Sequence, residues 1–250
     1  MSMLNDYTQF AGRHWDTGTI HNVLAYQGVR APHTGEPFSE ALLLGVSGGI
    51  AVLYFVFEYQ GFEPRVTIGT RYPFELMHQI WERLPLQAQV YETTSPKKAV
   101  KQLTEALKGG HPAIVWADMC SLPYTTNMPY DEQFWMMMPL VVYGYDEAGD
   151  RALLADRVGV PWQVTAGELT QARNRTQKNR HKLVTLDPPP ELAWDVVAAA
   201  AREGIRTGAS LYLDAPPKGP KDNFGLAALH KWAALLVDAP DKMLFPHNVV

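Results

Sequence analysis

Between Ala41 and Phe57 the chain carries no charged residue, and this stretch decides first what kind of fold is open to it. A bilayer-spanning helix needs roughly 20 apolar residues. The stretch is shorter, and Gly45, Ser47, Gly48 and Gly49 break it in the middle. It reads as a buried helix end, a glycine turn and a buried strand, which requires a core large enough to hide both. A chain of 250 residues with 46% hydrophobic and 19% charged residues can supply that core. The formal charge of -4 offers no basic excess for phosphate neutralisation, so nucleic acid is not an expected partner. No membrane association is expected either. The N-terminus lacks a basic segment followed by an apolar run, so no signal peptide is read there. The single cysteine, Cys120, excludes an internal disulfide framework and a multi-cysteine zinc site, and fits a cytoplasmic setting. There is no phosphate-binding loop, no dinucleotide fingerprint and no His-x-x-x-His pair, so neither cofactor nor metal is expected.

Along the chain, apolar residues at helical spacing (Ile20, Val23, Leu24) predict a first helix from about Asp16 or Thr17, closed by Gly28. Ser39 predicts the cap of a short helix ending at Gly45. Ile50–Tyr59 is rich in β-branched and aromatic residues and predicts a strand, with a second over Pro64–Thr70. Pro73 fits the first turn of a helix through Leu84. Ser95-Pro96 starts another, with Val100, Leu103 and Leu107 on one face and Gly109-Gly110 at its end. Ala113–Ala117 predicts a buried strand ending at Asp118. Leu140–Tyr145 and Arg151–Ala155, joined by a short polar loop containing Gly149, predict a β-hairpin.

At Asp187 the composition changes. Pro188, Pro189 and Pro190 form a stiff break. A helix over Glu191–Arg206, a Pro/Gly/Lys loop and a second helix over Gly225–Val237 follow. Leu226, Leu229, Trp232, Ala233 and Leu236 share a face of that last helix. Two helices bury little by themselves, so this stripe is expected to dock on the first domain or on a second subunit, with a homodimer favoured. The expected division is 1–187 for the main domain and 188–250 for a helical extension. The extension could be the start of a longer helical domain in a longer protein.

The motifs that could carry chemistry are His14-Trp15-Asp16-Thr17, Ser39-Glu40, Leu44-Gly45, Gly49 and Tyr54. Further along come Asp118 with Leu122-Pro123-Tyr124, Leu140-Val141-Val142-Tyr143-Gly144-Tyr145-Asp146, and Ala155-Asp156. In order and spacing these resemble the butirosin biosynthesis protein H N-terminal family, which is related to the papain-like, bacteriocin-processing cysteine peptidases. The resemblance covers about Arg13 to Leu186. It implies an α+β, papain-like fold in which a nucleophile opens the first long helix, a base heads a strand, and an acid follows on the next. It also implies acyl transfer: the type member moves an aminoacyl group from a carrier-protein thioester to an amine. On this correspondence the cysteine position holds Trp15, the histidine position Met138, and only Asp156 is of the expected type. Indole and thioether replace neither thiolate nor imidazole base.

The family correspondence and the local reading each nominate binding residues: His14, Asp16, Thr17, Glu40, Asp118 and Tyr124. Each has a plainer reading. His14 can be a local cap, Asp16 and Thr17 caps of the first helix, Glu40 a charge favouring a first turn, and Asp118 a cap or turn residue. Cys120 has no histidine near it in sequence and reads as a packed thiol. Arg173, Arg175, Lys178, Arg180 and Lys182 form a basic segment, read as a solvated face, with an acidic carrier protein or a phosphopantetheine phosphate as the alternative partner. The favoured function is a degenerate family member, a pseudoenzyme of secondary metabolism that binds a small molecule or a carrier-linked acyl group. An active acyltransferase or amide or thioester hydrolase using His14, Asp16, Glu40 and Asp118, and a structural partner of an active enzyme, are the alternatives.

Overall fold

The computed structural model describes residues 2–57, 65–72, 74–126, 135–176, 180–189, 191–214, 216 and 218–238. The described residues divide into two compact units, one of residues 1–43 and 84–194, the other of 44–83 and 195–250. This differs from the division expected at Asp187: the uncharged stretch and the segment after it group with the C-terminal helices.

In the first unit, helix α1 (Trp15–Tyr26) packs on an antiparallel sheet. The strands are β1 (Ser2–Met3), β4 (Gln87–Tyr91), β5 (Ala113–Asp118), β6 (Met137–Asp146), β7 (Arg151–Ala155), β8 (Pro161–Val164) and β9 (Leu183–Asp187). Their order is β4-β9-β5-β6-β7-β8, with β1 also paired to β6. The hairpin predicted from two apolar runs is present as β6 and β7. Its register shifts between Val142 and Gly144, where a Cβ on Gly144 would stand 2.8 Å from Leu153 Cδ1. Glycine lets the partner strand's leucine lie flat at this bulge. Helix α4 (Pro96–Lys108) has Ser95 as its cap; of its predicted face Leu103 and Leu107 are buried and Val100 half-buried, and Ala99 is buried beside them. Each such leucine, fully buried, contributes roughly 1.5–3 kcal/mol. Helix α5 (Ala166–Arg173) opens on a reciprocal cap between Thr165 and Glu168.

Helix α2 (Glu40–Ser47) begins in the first unit and ends in the second. The second unit's two-stranded sheet comprises β2 (Ile50–Phe57) and β3 (Arg65–Arg71). Glu58 and Tyr59 at the end of the first predicted strand, Pro64 at the start of the second, and Pro73 at the start of the predicted helix lie outside the described residues; helix α3 runs over Leu76–Arg83. Helix α6 (Trp194–Leu213) starts later and runs further than the predicted 191–206. Along it Gly204 permits close approach to the end of α2, where a built Cβ would stand 1.9 Å from the Gly45 carbonyl oxygen. Helix α7 (Gly225–Asp238) packs on β2. The buried face is not the predicted stripe. Ala228, with Trp232 and Leu235, packs on Tyr54, Val66 and Val52, whereas Leu226 and Leu236 are exposed. Gly225, Ala228, Trp232 and Leu235 follow the three- and four-residue steps of a helix face, and Leu226 lies off it.

Candidate functional site

The site grows from the start of α1. His14 has extended backbone geometry and caps the helix, with its imidazole Nδ1 accepting from the Thr17 amide. The helix starts at Trp15, one residue before the Asp16 or Thr17 expected, and His14 is the local cap of its plainer reading. Glu40, at the first turn of α2, reaches across the chain to the same place. Its Oε1 accepts from the Arg13 amide at 2.9 Å, and its Oε2 accepts from the His14 amide at 3.0 Å and from Thr17 Oγ1 at 3.0 Å. Thr17 Oγ1 also lies 3.1 Å from His14 Nδ1, and Asp16 Oδ2 lies 3.6 Å from His14 Nε2. Four predicted residues thus form one network. Glu40 puts a negative charge at the positive end of the helix dipole and satisfies amides that would otherwise be orphaned. Gly18 keeps room for it, since a Cβ there would approach Glu40 Oε2 to 3.3 Å.

Trp15 is the first residue of α1 and is half-buried. The Arg157 guanidinium lies over its ring, 3.8 Å from the centroid. Its indole Nε1 is shielded from solvent with no partner among the described residues. Asp156, the neighbour of Arg157, is buried. Its Oδ1 accepts from the Arg157 amide at 2.6 Å and its Oδ2 accepts from the Tyr124 hydroxyl at 3.3 Å. Burial pushes the Asp156 carboxyl up from its ordinary value, opposed by the Arg157 amide and charge and by the Tyr124 hydroxyl. Tyr124 is raised as well, by burial first and then by the adjacent Asp156. The Tyr124 ring stacks on Trp162 at 4.5 Å with 9° between planes. Met138 stands near the head of β6, opposite Ala117 on β5. Thr19, one helical turn beyond Trp15, donates to the carbonyl of Pro139, the residue after Met138. That bond ties α1 to the strand head.

Asp118 stands opposite Met137, beside Met138 in the β5–β6 register, and has partners of its own. It is fully buried and anchors a turn: Oδ1 accepts from the Cys120 and Met136 amides, and Oδ2 from the Ser121 hydroxyl. Arg175 Nε lies 3.5 Å from Oδ2. Cys120 is buried in the same turn.

The basic segment is a solvated face only in part: Arg180 is exposed, whereas Arg173 is not. Arg173 is buried, donates to the His181 carbonyl at 2.9 Å, and is pushed down to about 10 by desolvation. Arg175 faces Asp118, Arg180 pairs with Glu92 at 3.1 Å, and Lys182 lies over Trp116. Lys178 lies outside the described residues. Arg157 and Trp162 are contributors that the sequence reading did not single out. Among the described residues, no three His, Cys, Asp or Glu side chains cluster as a metal site, and no helix is long and apolar enough to cross a membrane.

The family profile described as butirosin biosynthesis protein H, N-terminal, matches residues 14–157, more than half of the chain. The chain belongs to this family. The match opens on the helix cap His14 and closes on Arg157, the residue stacked on Trp15, so the whole Trp15–Asp156 arrangement falls inside it. Among solved structures, the chain is similar to one described as a C39-like peptidase from Bacillus anthracis, with a TM-score of 0.47 and 15% identity, covering 75% of this chain and 97% of that one. A search of curated proteins finds no match. With an N-terminal helix set against an antiparallel sheet, the first unit has the α+β arrangement that the resemblance implied.

Proposed function

We propose that this protein is a degenerate member of the butirosin biosynthesis protein H family that binds a small molecule or a carrier-linked acyl group in a biosynthetic pathway without Cys–His catalysis. The observation that carries the reading is Trp15 at the start of α1 with Arg157 stacked on its ring. An indole held under a guanidinium has no lone pair to offer an acyl carbon, and the thioether of Met138 cannot take up its proton. The acid survives: Asp156 keeps its Tyr124 partner, and Tyr124 keeps its stack on Trp162. An aromatic wall beside a buried carboxyl suits binding and lacks the nucleophile for turnover. The other residues at the helix start do not form a replacement, because His14 is engaged as a helix cap and Glu40 already accepts from two amides and the Thr17 hydroxyl.

The test is hydrolysis of a generic acyl thioester. The wild-type protein is expected to show no turnover above buffer, and Cys120→Ser to leave that result unchanged. Trp15→Cys combined with Met138→His is expected to gain an iodoacetamide-reactive thiolate and measurable thioester cleavage. Turnover by the wild-type protein would overturn the reading.

The outer face of α7 favours a second reading, as a structural partner or homodimer: Leu226, Leu236 and Val237 are 43%, 46% and 79% exposed. A dimer by light scattering that becomes monomeric on Leu236→Lys would support it.

A further inference from the structure

The second unit contains a cavity of about 540 Å³ that shares no residue with the Trp15 arrangement. It lies beside the turn Ser47-Gly48-Gly49, which α6 crosses closely. Gly48 has φ +68, and a Cβ there would stand 2.6 Å from Thr207 Cβ, so only glycine keeps the turn this low. Arg83 locks it, donating from Nη1 to the Val46 carbonyl at 2.6 Å and from Nη2 to Thr207 Oγ1 at 2.7 Å. Two chemistries line the cavity. Phe74, Leu76 and Leu211 supply apolar surface, and Phe74 is 40% exposed while standing edge-on to Tyr72. Gln79, Glu203 and Arg206 supply polar groups. Glu75 also lines it, in a left-handed conformation at φ 60, but its carboxylate is taken by Lys218.

Glu203 and Arg206 are the lining charges that lie together on α6, and Glu203 also lies within electrostatic reach of Arg83. Glu203 and Arg206 face each other at 3.4 Å across one helical turn, and their side chains are 54% and 74% exposed. An exposed pair of this kind is weak and screened, so a ligand bearing both charges can replace it without a large loss. The arrangement suits a zwitterion attached to an apolar body. A single anion would face Glu203, and a single cation would face Arg206. The volume fits a small metabolite, within the range of roughly 300–1,000 Å³ usual for such sites.

We propose that this cavity binds a free α-amino acid with a large apolar side chain. Its carboxylate takes the guanidinium of Arg206, which offers paired donors. Its ammonium takes Glu203, and its side chain lies against Phe74, Leu76 and Leu211. The site does not depend on whether the Trp15 position is catalytic.

The experiment is a titration of the full ¹⁵N-labelled chain with L-phenylalanine, 3-phenylpropionate and 2-phenylethylamine. L-phenylalanine is expected to give saturable shifts of the Gly48 and Gly49 amides, and the two half-charged probes to bind at least about tenfold more weakly, a loss of about 1.4 kcal/mol for each missing charge contact. Arg206→Glu, at an exposed position that leaves the fold intact, is expected to weaken L-phenylalanine by a similar factor. Phe74→Ala is expected to weaken all three probes. The absence of saturable shifts up to about 10 mM would overturn the proposal, since a built site should do better than millimolar affinity. Equal binding of the three probes, or binding unchanged in Arg206→Glu, would overturn it as well.

Discussion

Replacing Glu40 by alanine should loosen the start of α1 more than any single change within that helix. The carboxylate accepts three hydrogen bonds, two from the Arg13 and His14 amides and one from Thr17. Hydrogen bonds to a charged group are worth about 1.5–3 kcal/mol each when buried. Glu40 is half-buried, so water recovers part of this, and a total loss of about 2–4 kcal/mol follows once the helix-dipole contribution of about 0.3–1 kcal/mol is included. For a chain of this size each kcal/mol moves the melting temperature by about 2–4 °C, so the expected fall is about 4–16 °C. Glu40→Gln should restore little. Oε1 and Oε2 both accept, and an amide nitrogen in either place would point a donor at a donor. Thr17→Val should cost about 1 kcal/mol, and the double variant less than the sum of the two, because both changes remove the same bond. Calorimetry of the four proteins provides the cycle. A melting temperature for Glu40→Ala within about 1 °C of wild type, or strictly additive losses, would show that the network is decorative.

Two further outcomes are expected. Burial raises the Asp156 carboxyl in the folded state above its unfolded value, so its contribution to stability is fully present in acid and is lost as pH rises through the folded value. Asp156→Asn retains an oxygen for the Arg157 amide, and its stability relative to wild type should therefore grow from acidic to neutral pH; urea midpoints across that range check it, and the opposite slope would refute it. Gly204→Ala places a Cβ 1.9 Å from the Gly45 carbonyl oxygen, so α6 must move away from the end of α2. Backbone does not yield as a side chain does, and a loss of about 3 kcal/mol or more, read by urea denaturation, is expected.

Elements that advertise themselves locally were legible in the sequence. The α4 stripe and its Ser95-Pro96 start, the apolar run of β5, and the β6–β7 pair around a polar loop all carry their own signals. Strand β4 does not. Its sequence QAQVY is polar because it lies at the sheet edge with most side chains exposed, and its partner β9 follows about 90 residues later. Strand β8 begins on Pro161, tolerable only because it too is an edge. Helix α5 is different: Thr165 and Glu168 spell a capping box, a signal present in the sequence but weak in a helix of eight residues. In the site, His14, Thr17 and Glu40 could be nominated from residue type and resemblance, whereas their common network rests on a contact spanning 23 residues or more between Glu40 and the helix start. The Trp15–Arg157 stack spans the whole hairpin and leaves no local trace. The basic segment misled for a related reason, since nothing near Arg173 in sequence announces that its guanidinium is buried against the His181 carbonyl.

On the reading proposed above, the same contacts account for a scaffold that keeps its shape without a Cys–His pair. The start of α1 is fixed by the His14 cap, by Glu40 on the Arg13 and His14 amides, and by Thr19 on the Pro139 carbonyl. None of these bonds uses the side chain at position 15 or at position 138. Those two positions can therefore change without releasing the helix or the strand, provided the new side chains find packing. Trp15 finds it under Arg157, a contact worth about 0.5–2 kcal/mol. Asp156 is less free to change. It accepts from the Arg157 amide and from Tyr124, and removing it would orphan a buried amide and unpin the tyrosine that stacks on Trp162. On the proposed reading, the acid position is held by these structural contacts whether or not positions 15 and 138 carry catalytic groups.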